Sequence, residues 1–253
     1  MIGEVTVLSV LQGIAEFLPI SSSGHLVLGK QLLGLEEMGL RLDVFLHVGT
    51  LLAVFAFYFS VIRRIVMNRE WSYLLKILLS AVPAGVVGLL FKDNLETIFS
   101  SPRMVGVALI FTGFVLTATR FLPRGHQDVS FGRALWMGLA QAIALLPGVS
   151  RSGMTIAAAR IARVEAEKCA EFSFLMSTVP IAGAAFLEIL DGACAASSAE
   201  EASWALTVYG AVLAAVVGYV SLKFLVKSLK SRWFWVFGPY CLLAGLVSLF
   251  AKF

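Results

Sequence analysis

Residues 12–25 read QGIAEFLPISSSGH, and residues 141–155 read QAIALLPGVSRSGMT. A shift of 129 positions superimposes the two stretches: glutamine falls on glutamine, Ile-Ala on Ile-Ala, two serines on two serines, and glycine on glycine. Both interrupt apolar runs, where hydroxyls, proline, glycine and arginine are costly unless they line a site enclosed by protein. Two such breaks at matching positions of two halves predict one central site formed by an internal duplication.

The composition indicates an all-α, polytopic membrane protein. Of the 253 residues, 59% are hydrophobic and 14% are charged, whereas a soluble domain carries about 25% charge. Apolar runs longer than about 18 residues recur along the whole chain. The net charge of +4 requires no nucleic-acid partner, because the basic residues lie in short loops where they act as topology signals. The three cysteines are scattered and predict neither a disulfide framework nor a metal site: Cys169, Cys194 and Cys241.

Hydropathy predicts six membrane-spanning helices. Their approximate bounds are Leu42 to Ile62, Tyr73 to Phe91, Met104 to Thr119, Cys169 to Leu190, Trp204 to Leu222 and Trp233 to Phe250.

The loops between these spans alternate in charge, and the positive-inside rule places the basic ones in the cytoplasm. The basic loops carry Arg63, Arg64 and Arg69; Arg120, Arg124 and Arg133; and Lys223, Lys227, Lys230 and Arg232. The acidic or mixed loops carry Glu36 and Glu37; Lys92, Asp93 and Glu96; and Asp191, Glu200 and Glu201.

This assignment leaves both polar stretches without a spanning role. Residues 1–35 begin and end outside, and residues 131–167 begin and end inside. Each segment is therefore predicted to be a re-entrant helical hairpin, turning at Pro19 to Gly24 and at Pro147 to Gly153, where proline and glycine break a helix. The result is a single integral membrane domain, 1–253, with an inverted-topology repeat of halves at about 1–120 and 131–253. The alternative is that each hairpin is an ordinary pair of short spans.

Arg151 points to an anionic ligand. It is the only arginine in a run without other charges, from Leu135 to Ala159, and phosphate fits the fork of a guanidinium. Hydroxyl donors surround it, and the helix that restarts after the turn offers free N–H groups. The candidate phosphate ligands of this stretch are Ser150, Ser152, Gly153 and Thr155. The alternative is that Arg151 only pairs with Glu16 and binds nothing.

Gln12 and Glu16 lie one helical turn apart and face the same side. A carboxylate and a carboxamide oxygen could hold a hard cation such as Mg²⁺ or Ca²⁺, with substrate phosphate and water completing the coordination shell. The alternative is hydrogen bonding between helices.

His25 is the one histidine inside a polar cluster, beside Ser21, Ser22 and Ser23. It could serve as a general base, a proton donor or a nucleophile. His47, one turn after Asp43, is ambiguous: a packing hydrogen bond is one reading, and help from Asp43 in holding a cation is another.

Carboxylate, amide, hydroxyls, imidazole and guanidinium converging in an apolar surround would suit a phosphate ester whose other end is lipid. Residue types alone do not distinguish a protein that hydrolyses this phosphate from one that moves it. A transporter that flips a lipid phosphate is therefore the rival hypothesis, since inverted repeats with broken helices are typical of secondary transporters.

The two stretches resemble the signatures of the undecaprenyl-diphosphate phosphatase family. The first signature is a Glu or Gln, three residues, a Glu, then a Pro and a serine-rich turn ending in Gly-His; the second is Pro-Gly-x-Ser-Arg-Ser-x-x-Thr. The similarity extends over the whole chain in length, span pattern and the segment EFSF at 171–174. The matching residues are Gln12, Glu16, Pro19, Ser21, Ser22, Gly24, His25, Pro147, Gly148, Ser150, Arg151, Ser152 and Thr155.

This resemblance implies a bacterial inner-membrane hydrolase that removes the terminal phosphate of the C55 lipid diphosphate and recycles the carrier for peptidoglycan and other cell-wall glycans. It also implies bacitracin resistance, divalent-metal dependence, a tendency to dimerise and a site open to the outer, periplasmic side. On this pattern the metal ligands are Gln12 and Glu16, and the phosphate is bound by Arg151 together with Ser21 and Ser23. Ser22 is the expected nucleophile, activated by His25; attack by His25 itself is second, and attack by water is third. Glutamine at position 12 departs from a scheme with two carboxylates on the metal.

Overall fold

The computed structural model describes residues 1–35, 40–91, 102–190 and 203–250, and within these ranges the chain is helical. The predicted acidic and mixed loops (Glu36, Glu37, Lys92, Asp93, Glu96, Asp191, Glu200 and Glu201) and Cys194 lie outside the described residues. The described part contains eleven α-helices: α1 Ile2–Ala15, α2 Ser22–Leu33, α3 Leu40–Phe57, α4 Phe59–Met67, α5 Trp71–Leu90, α6 Pro102–Ala118, α7 Phe131–Ile143, α8 Arg151–Ile161, α9 Ala166–Leu190, α10 Trp204–Lys230 and α11 Phe237–Phe250.

Within the described residues, four helices are long and apolar enough to cross a membrane: α5, α6 with the turn that follows it, α9 and α10. They agree with four of the six predicted spans, so the chain is a multi-pass helical membrane protein. The predicted span from Leu42 to Ile62 corresponds to α3 and α4, which count as a fifth span only if taken together. The predicted span from Trp233 to Phe250 is a short 3₁₀ turn followed by α11, a shorter apolar helix, and stays a prediction.

Helices α3 and α4 meet at a 67° bend. Tyr58 separates them, although neither glycine nor proline lies nearby. The sequence changes character here: α4 buries Ile65 and exposes Arg63 and Arg64. A helix with one charged face lies more favourably at the membrane surface than within it. The bend therefore coincides with the change from an apolar to an amphipathic helix.

Both polar stretches break a helix, as the sequence predicts. Helices α1 and α2 pack together as one hairpin, and α7 and α8 as another. Ser21 and Ser150 cap the second helix of each hairpin: their side chains accept hydrogen bonds from the backbone N–H groups of Gly24, at 3.3 Å, and Gly153, at 3.1 Å. The second turn also needs Gly148, whose φ of +90° strongly favours glycine.

Each hairpin packs against one of the long helices. Helix α1 lies on α10, and α7 lies on α5. Helices α3 and α9 pack together in the middle, α3 also on α10 and α9 also on α5, while α6 pairs with α11. The two hairpins thus occupy corresponding places around a central helix pair. The division into halves at 1–120 and 131–253 stays a prediction.

Small residues allow the closest helix contacts. A Cβ atom on Gly49 of α3 would lie 2.2 Å from the carbonyl oxygen of Ala211 on α10. Gly138 of α7 similarly faces the carbonyl oxygen of Ser80 on α5, at 2.4 Å. Close backbone approach through small residues is the usual way in which helices associate within lipid, where no hydrophobic effect drives them together.

We expect Gly49→Ala to lower the stability of the protein by about 1–3 kcal/mol, because the backbone of α10 must move to admit the methyl group. Gly85→Ala in α5 is the matched control, since its Cβ would meet nothing within 4 Å. The control should keep or slightly raise the melting temperature of the protein in detergent. Equal melting temperatures for the two variants would contradict the close contact between α3 and α10.

Candidate active site

The two turns meet in the middle of the molecule. Arg151, at the start of α8, donates a hydrogen bond and forms an ion pair with Oε1 of Glu16, at the end of α1. The hydroxyl of Ser152 donates to the carbonyl oxygen of Leu18 at 3.3 Å. Helix α6 supports the second turn, because Thr112 donates to the carbonyl oxygen of Gly148 and accepts from the N–H of Ser150, both at 3.1 Å.

Glu16 is the centre of the hydrogen-bond network. Its side chain is only 5% exposed. While Oε1 pairs with Arg151, Oε2 accepts hydrogen bonds from the hydroxyl of Ser22 at 2.6 Å and from Nε2 of Gln12 at 3.1 Å. Nε2 of His47 lies 3.9 Å from the same oxygen. A buried carboxylate requires such partners, because its desolvation is otherwise too costly.

A cavity of about 470 Å³ opens beside this network. Its lining contains both polar and apolar side chains, so the cavity is suited to a charged group attached to a hydrocarbon chain. The polar lining consists of Glu16, Ser21, Ser22, Ser23, Asp43, His47, Gln141 and Arg151. The apolar lining consists of Val44, Ala84, Ala144, Leu145, Val149, Pro180, Ile181, Ala184 and Ala185.

Four predicted phosphate ligands are not among the residues that line the cavity: Ser150, Ser152, Gly153 and Thr155. They lie behind Arg151 and are buried. Thr155 donates to the carbonyl oxygen of Arg151 at 2.8 Å and shares a 2.6 Å hydrogen bond with Ser173 of α9. In this structure these groups hold the start of α8, and their contact with phosphate stays a prediction.

His25 also lies away from the cavity lining. Its Nε2 is 2.8 Å from the hydroxyl of Tyr240 on α11, and its Nδ1 is 3.0 Å from the carbonyl oxygen of Ser21. The rings of His25 and Tyr240 stack at 5.7 Å. The structure therefore does not bring His25 to Ser22 as an activating base, and that role stays a prediction.

The imidazole that does line the cavity belongs to His47. Its Nδ1 is 2.9 Å from the carbonyl oxygen of Asp43. A carbonyl oxygen can only accept, so Nδ1 carries the proton and Nε2 faces Glu16. The carboxylate of Asp43 accepts from Lys30 at 2.5 Å, and its second oxygen is buried without a hydrogen-bond partner. In the sequence, Asp43 and His47 lie one helical turn apart. That spacing alone does not distinguish a packing hydrogen bond from a role in holding a cation.

Gln141 was missed as a site residue, although it is the counterpart of Gln12 in the second stretch. It lines the cavity and is 2% exposed, and neither atom of its amide group has a hydrogen-bond partner within the described residues. The carboxamide oxygen of Gln12 is likewise buried and unpartnered. Buried amides without partners are uncommon and call for a bound ligand, ion or water.

Oxygen donors suitable for a hard cation are therefore present around Glu16. No group of three His, Cys, Asp or Glu side chains among the described residues is arranged to hold a metal ion. Such a cation would need some of its ligands from the amide of Gln12, from a bound phosphate or from water, as Mg²⁺ commonly does.

Fold and site together define a multi-pass membrane protein with an enclosed, charged site at the junction of two broken helices. The chain belongs to the family described as Bacitracin resistance protein BacA, whose sequence profile matches residues 5–247.

Curated relatives match this chain over nearly its whole length. A protein of Halothermothrix orenii named undecaprenyl-diphosphatase is 37% identical over 250 residues, covering 96% of this chain and 95% of the relative. A protein of the same name from Desulfatibacillum aliphaticivorans is 38% identical, covering 99% and 98%. Undecaprenyl-diphosphatase 3 of Bacillus cereus is 38% identical over 253 residues, covering 99% and 97%.

We expect Arg151→Gln to lower the stability of the protein by about 3–5 kcal/mol, because it leaves the buried carboxylate of Glu16 without its counter-charge. The double variant Glu16→Gln/Arg151→Gln should recover much of this loss. Arg64→Gln is the control: its guanidinium is half exposed and lies 3.5 Å from Glu70 and 3.7 Å from Glu171, so the loss should stay at about 1 kcal/mol. Melting temperatures in detergent measure all three, and equal effects of Arg151→Gln and Arg64→Gln would contradict a buried ion pair.

Proposed function

We propose that this protein is an integral membrane undecaprenyl-diphosphatase, which hydrolyses undecaprenyl diphosphate to undecaprenyl phosphate and inorganic phosphate. Relatives with this name cover almost the whole chain. The single structural observation that carries the proposal is the contact between Ser22 and Glu16 in a cavity that also contains Arg151. The activity would recycle the lipid carrier of cell-wall glycan synthesis.

The cavity offers separate surfaces for the two ends of this substrate. Arg151 uses one N–H for Glu16; within the described residues its other side-chain N–H groups have no partner and can bind phosphate oxygens in a bidentate manner. Helix α2 begins at Ser22 and α8 begins at Arg151, so the N–H groups of both first turns favour an anion in the same place. The polyprenyl chain would lie along the apolar wall formed by Leu145, Ile181 and neighbouring residues.

Ser22 is the proposed nucleophile, and Glu16 is the proposed proton acceptor. The hydroxyl oxygen of Ser22 attacks the terminal phosphorus while its proton passes to Oε2 of Glu16, to which it already donates a hydrogen bond. The bond from this phosphorus to the bridging oxygen breaks, and undecaprenyl phosphate leaves. Glu16 gives its proton to the departing phosphate oxygen. Water then attacks the phosphoserine and loses a proton to Glu16, the bond from phosphorus to Ser22 breaks, and Glu16 passes that proton to the serine oxygen as inorganic phosphate is released.

Arg151 would stabilise the charge that develops on the transferred phosphoryl group, because a positive group already in position costs no reorganisation during the reaction. His47 borders the same carboxylate and can accept a proton at Nε2. Ser22 is favoured over His25 as nucleophile, since His25 is directed toward Tyr240.

A divalent cation, Mg²⁺ or Ca²⁺, fits the chemistry of the donors around Glu16. The ligands would be Glu16 and Gln12, with Asp43 as a further carboxylate, because Gln12 and Asp43 each have a buried oxygen without a hydrogen-bond partner. When bound, the ion would neutralise phosphate charge and polarise the phosphorus–oxygen bonds. The residues themselves bind the substrate and transfer the proton.

The finer topology is also part of the proposal. It comprises six spans, two re-entrant hairpins and an inverted-topology repeat, in the bacterial cytoplasmic membrane, with the cavity open to the outer side and homodimers formed. The placement of α1 on α10 and of α7 on α5 supports a repeat, because each hairpin then packs in the same way on the other half. The basic loops support the orientation.

Purified protein should release inorganic phosphate from undecaprenyl diphosphate or farnesyl diphosphate, and a chelator should abolish the release. Arg151→Lys keeps the charge but loses the bidentate fork, so the rate should fall about 10²–10³-fold. Ser22→Ala should lose activity at least as severely. Arg63→Lys, in the exposed part of α4, is the matched control and should leave the rate unchanged.

Translocation of the lipid without phosphate release would contradict the enzyme and favour a flippase that uses the same anion site. Near-normal turnover in Arg151→Lys would assign Arg151 to a structural ion pair only.

Accessibility mapping tests the proposed topology independently of the chemistry. Single cysteines at 35 and 166, in a background without native cysteines, mark the ends of the two hairpins. We expect a membrane-impermeant reagent to label position 35 from outside and position 166 from inside, with position 69 as an inside control. Labelling of positions 35 and 166 from the same side would contradict the inverted repeat, whatever the result for activity.

A further inference from the structure

A second cavity, of about 280 Å³, lies at the opposite end of α8 from Arg151. It is formed by the loop after α6, the end of α8, the start of α9 and the end of α10. It shares no lining residue with the candidate active site. With a rise of about 1.5 Å per residue, the helix separates Arg160 from Arg151 by roughly 14 Å. The two cavities are therefore distinct sites.

The charge in this cavity is not balanced. Its two carboxylates both contact lysines: Glu167 lies 2.7 Å from Lys230, and Glu165 lies 3.4 Å from Lys168, which also pairs with Asp128. Arg124, Arg160 and Arg232 also line the cavity, and within the described ranges no carboxylate forms an ion pair with any of them.

Arg160 and Arg232 line the same cavity, and their like charges oppose each other there. Two neighbouring guanidinium groups without a carboxylate between them are stabilised by an anion, and phosphate is the anion whose geometry matches their donors.

Side-chain packing and backbone hydrogen bonds fix the shape of the cavity. Arg160 is half-buried, and its guanidinium lies 5.9 Å from the ring centre of Phe234, which is fully buried. The loop after α6 is fixed to the end of α8 by backbone hydrogen bonds between Gln127 and both Arg163 and Glu165. Arg232 has a φ of +66°, the left-handed conformation that closes the end of α10, where the N–H of Trp233 donates to the carbonyl oxygen of Ser228 at 2.9 Å.

The neighbouring residues place this cavity at the level of lipid headgroups. Phe121, just before the lining loop, is 82% exposed, and Trp233, directly after Arg232, is 67% exposed. Exposed tryptophan at the end of an apolar helix is typical of the interface between membrane and water. We propose that this cavity binds the phosphate of an anionic phospholipid headgroup, with Arg160 and Arg232 as the principal ligands.

Detergent-purified, full-length protein is titrated with short-chain phosphatidylglycerol, with phosphatidylcholine and with inorganic phosphate, and the rise in melting temperature gives a dissociation constant for each. Phosphatidylglycerol should bind more tightly than the other two. Arg160→Gln and Arg232→Gln should each weaken its binding about tenfold, as expected for the loss of one charge-assisted hydrogen bond. Arg63→Gln, at an exposed arginine of α4, is the matched control and should bind as the unchanged protein does.

Arg232→Gln keeps the test valid if the half-buried Arg160 cannot be replaced without unfolding, because Arg232 is exposed. Equal weakening by Arg63→Gln would show general attraction between charges and overturn the site. Phosphatidylglycerol binding that none of the variants weakens would overturn it as well. Inorganic phosphate that binds as tightly as phosphatidylglycerol, with the same dependence on Arg160, would overturn the lipid assignment in favour of free phosphate.

Discussion

The ion pair between Glu16 and Arg151 is the interaction on which the centre of the molecule depends. Each residue stands at a place where a helix is broken, and each comes from a different hairpin. A lone charge at this depth would be very costly, so neither turn is stable without the other. The pair therefore fixes how the two hairpins meet, and the meeting of the hairpins creates the cavity. Ser22, Gln12 and His47 then take their positions around the same carboxylate.

Much of the fold could be predicted from the sequence because lipid imposes simple rules. Helix length and hydropathy were sufficient for α5, α6, α9 and α10, and the internal similarity predicted two helix breaks and their approach. Proline was a poor guide to helix ends: Pro83 and Pro180 lie inside α5 and α9. The bend at Tyr58 could not be predicted, because its cause is the change from an apolar to an amphipathic sequence and no helix-breaking residue marks it.

The residues of the candidate site that surround the ion pair could be predicted from the sequence, whereas other residues that line the cavity could not. Glu16, Ser22 and Arg151 were identified because charge and hydroxyls are rare in apolar runs. The histidine of the site could not be predicted in this way. Proximity in sequence to the serines suggested His25, whereas the packing of α3 against α9 and α10 brings His47 to the cavity. Gln141 has no sequence signal beyond its position opposite Gln12. Such contacts depend on which helices become neighbours, and a local pattern does not contain that information.

Helices α1 and α10 pack together although they are far apart in sequence, and this contact has a consequence for biosynthesis. Helix α1 leaves the ribosome well before its partner α10, which begins only at Trp204. At translation rates of about 5–20 residues per second, the first hairpin waits on the order of ten seconds or longer before its partner exists. Throughout that interval the insertion machinery or the surrounding lipid must accommodate the polar groups of the turn that includes Glu16. The first hairpin can therefore pack fully only after α10 has been synthesised. A chain that stops before α10 would leave the turn that includes Glu16 without this packing partner.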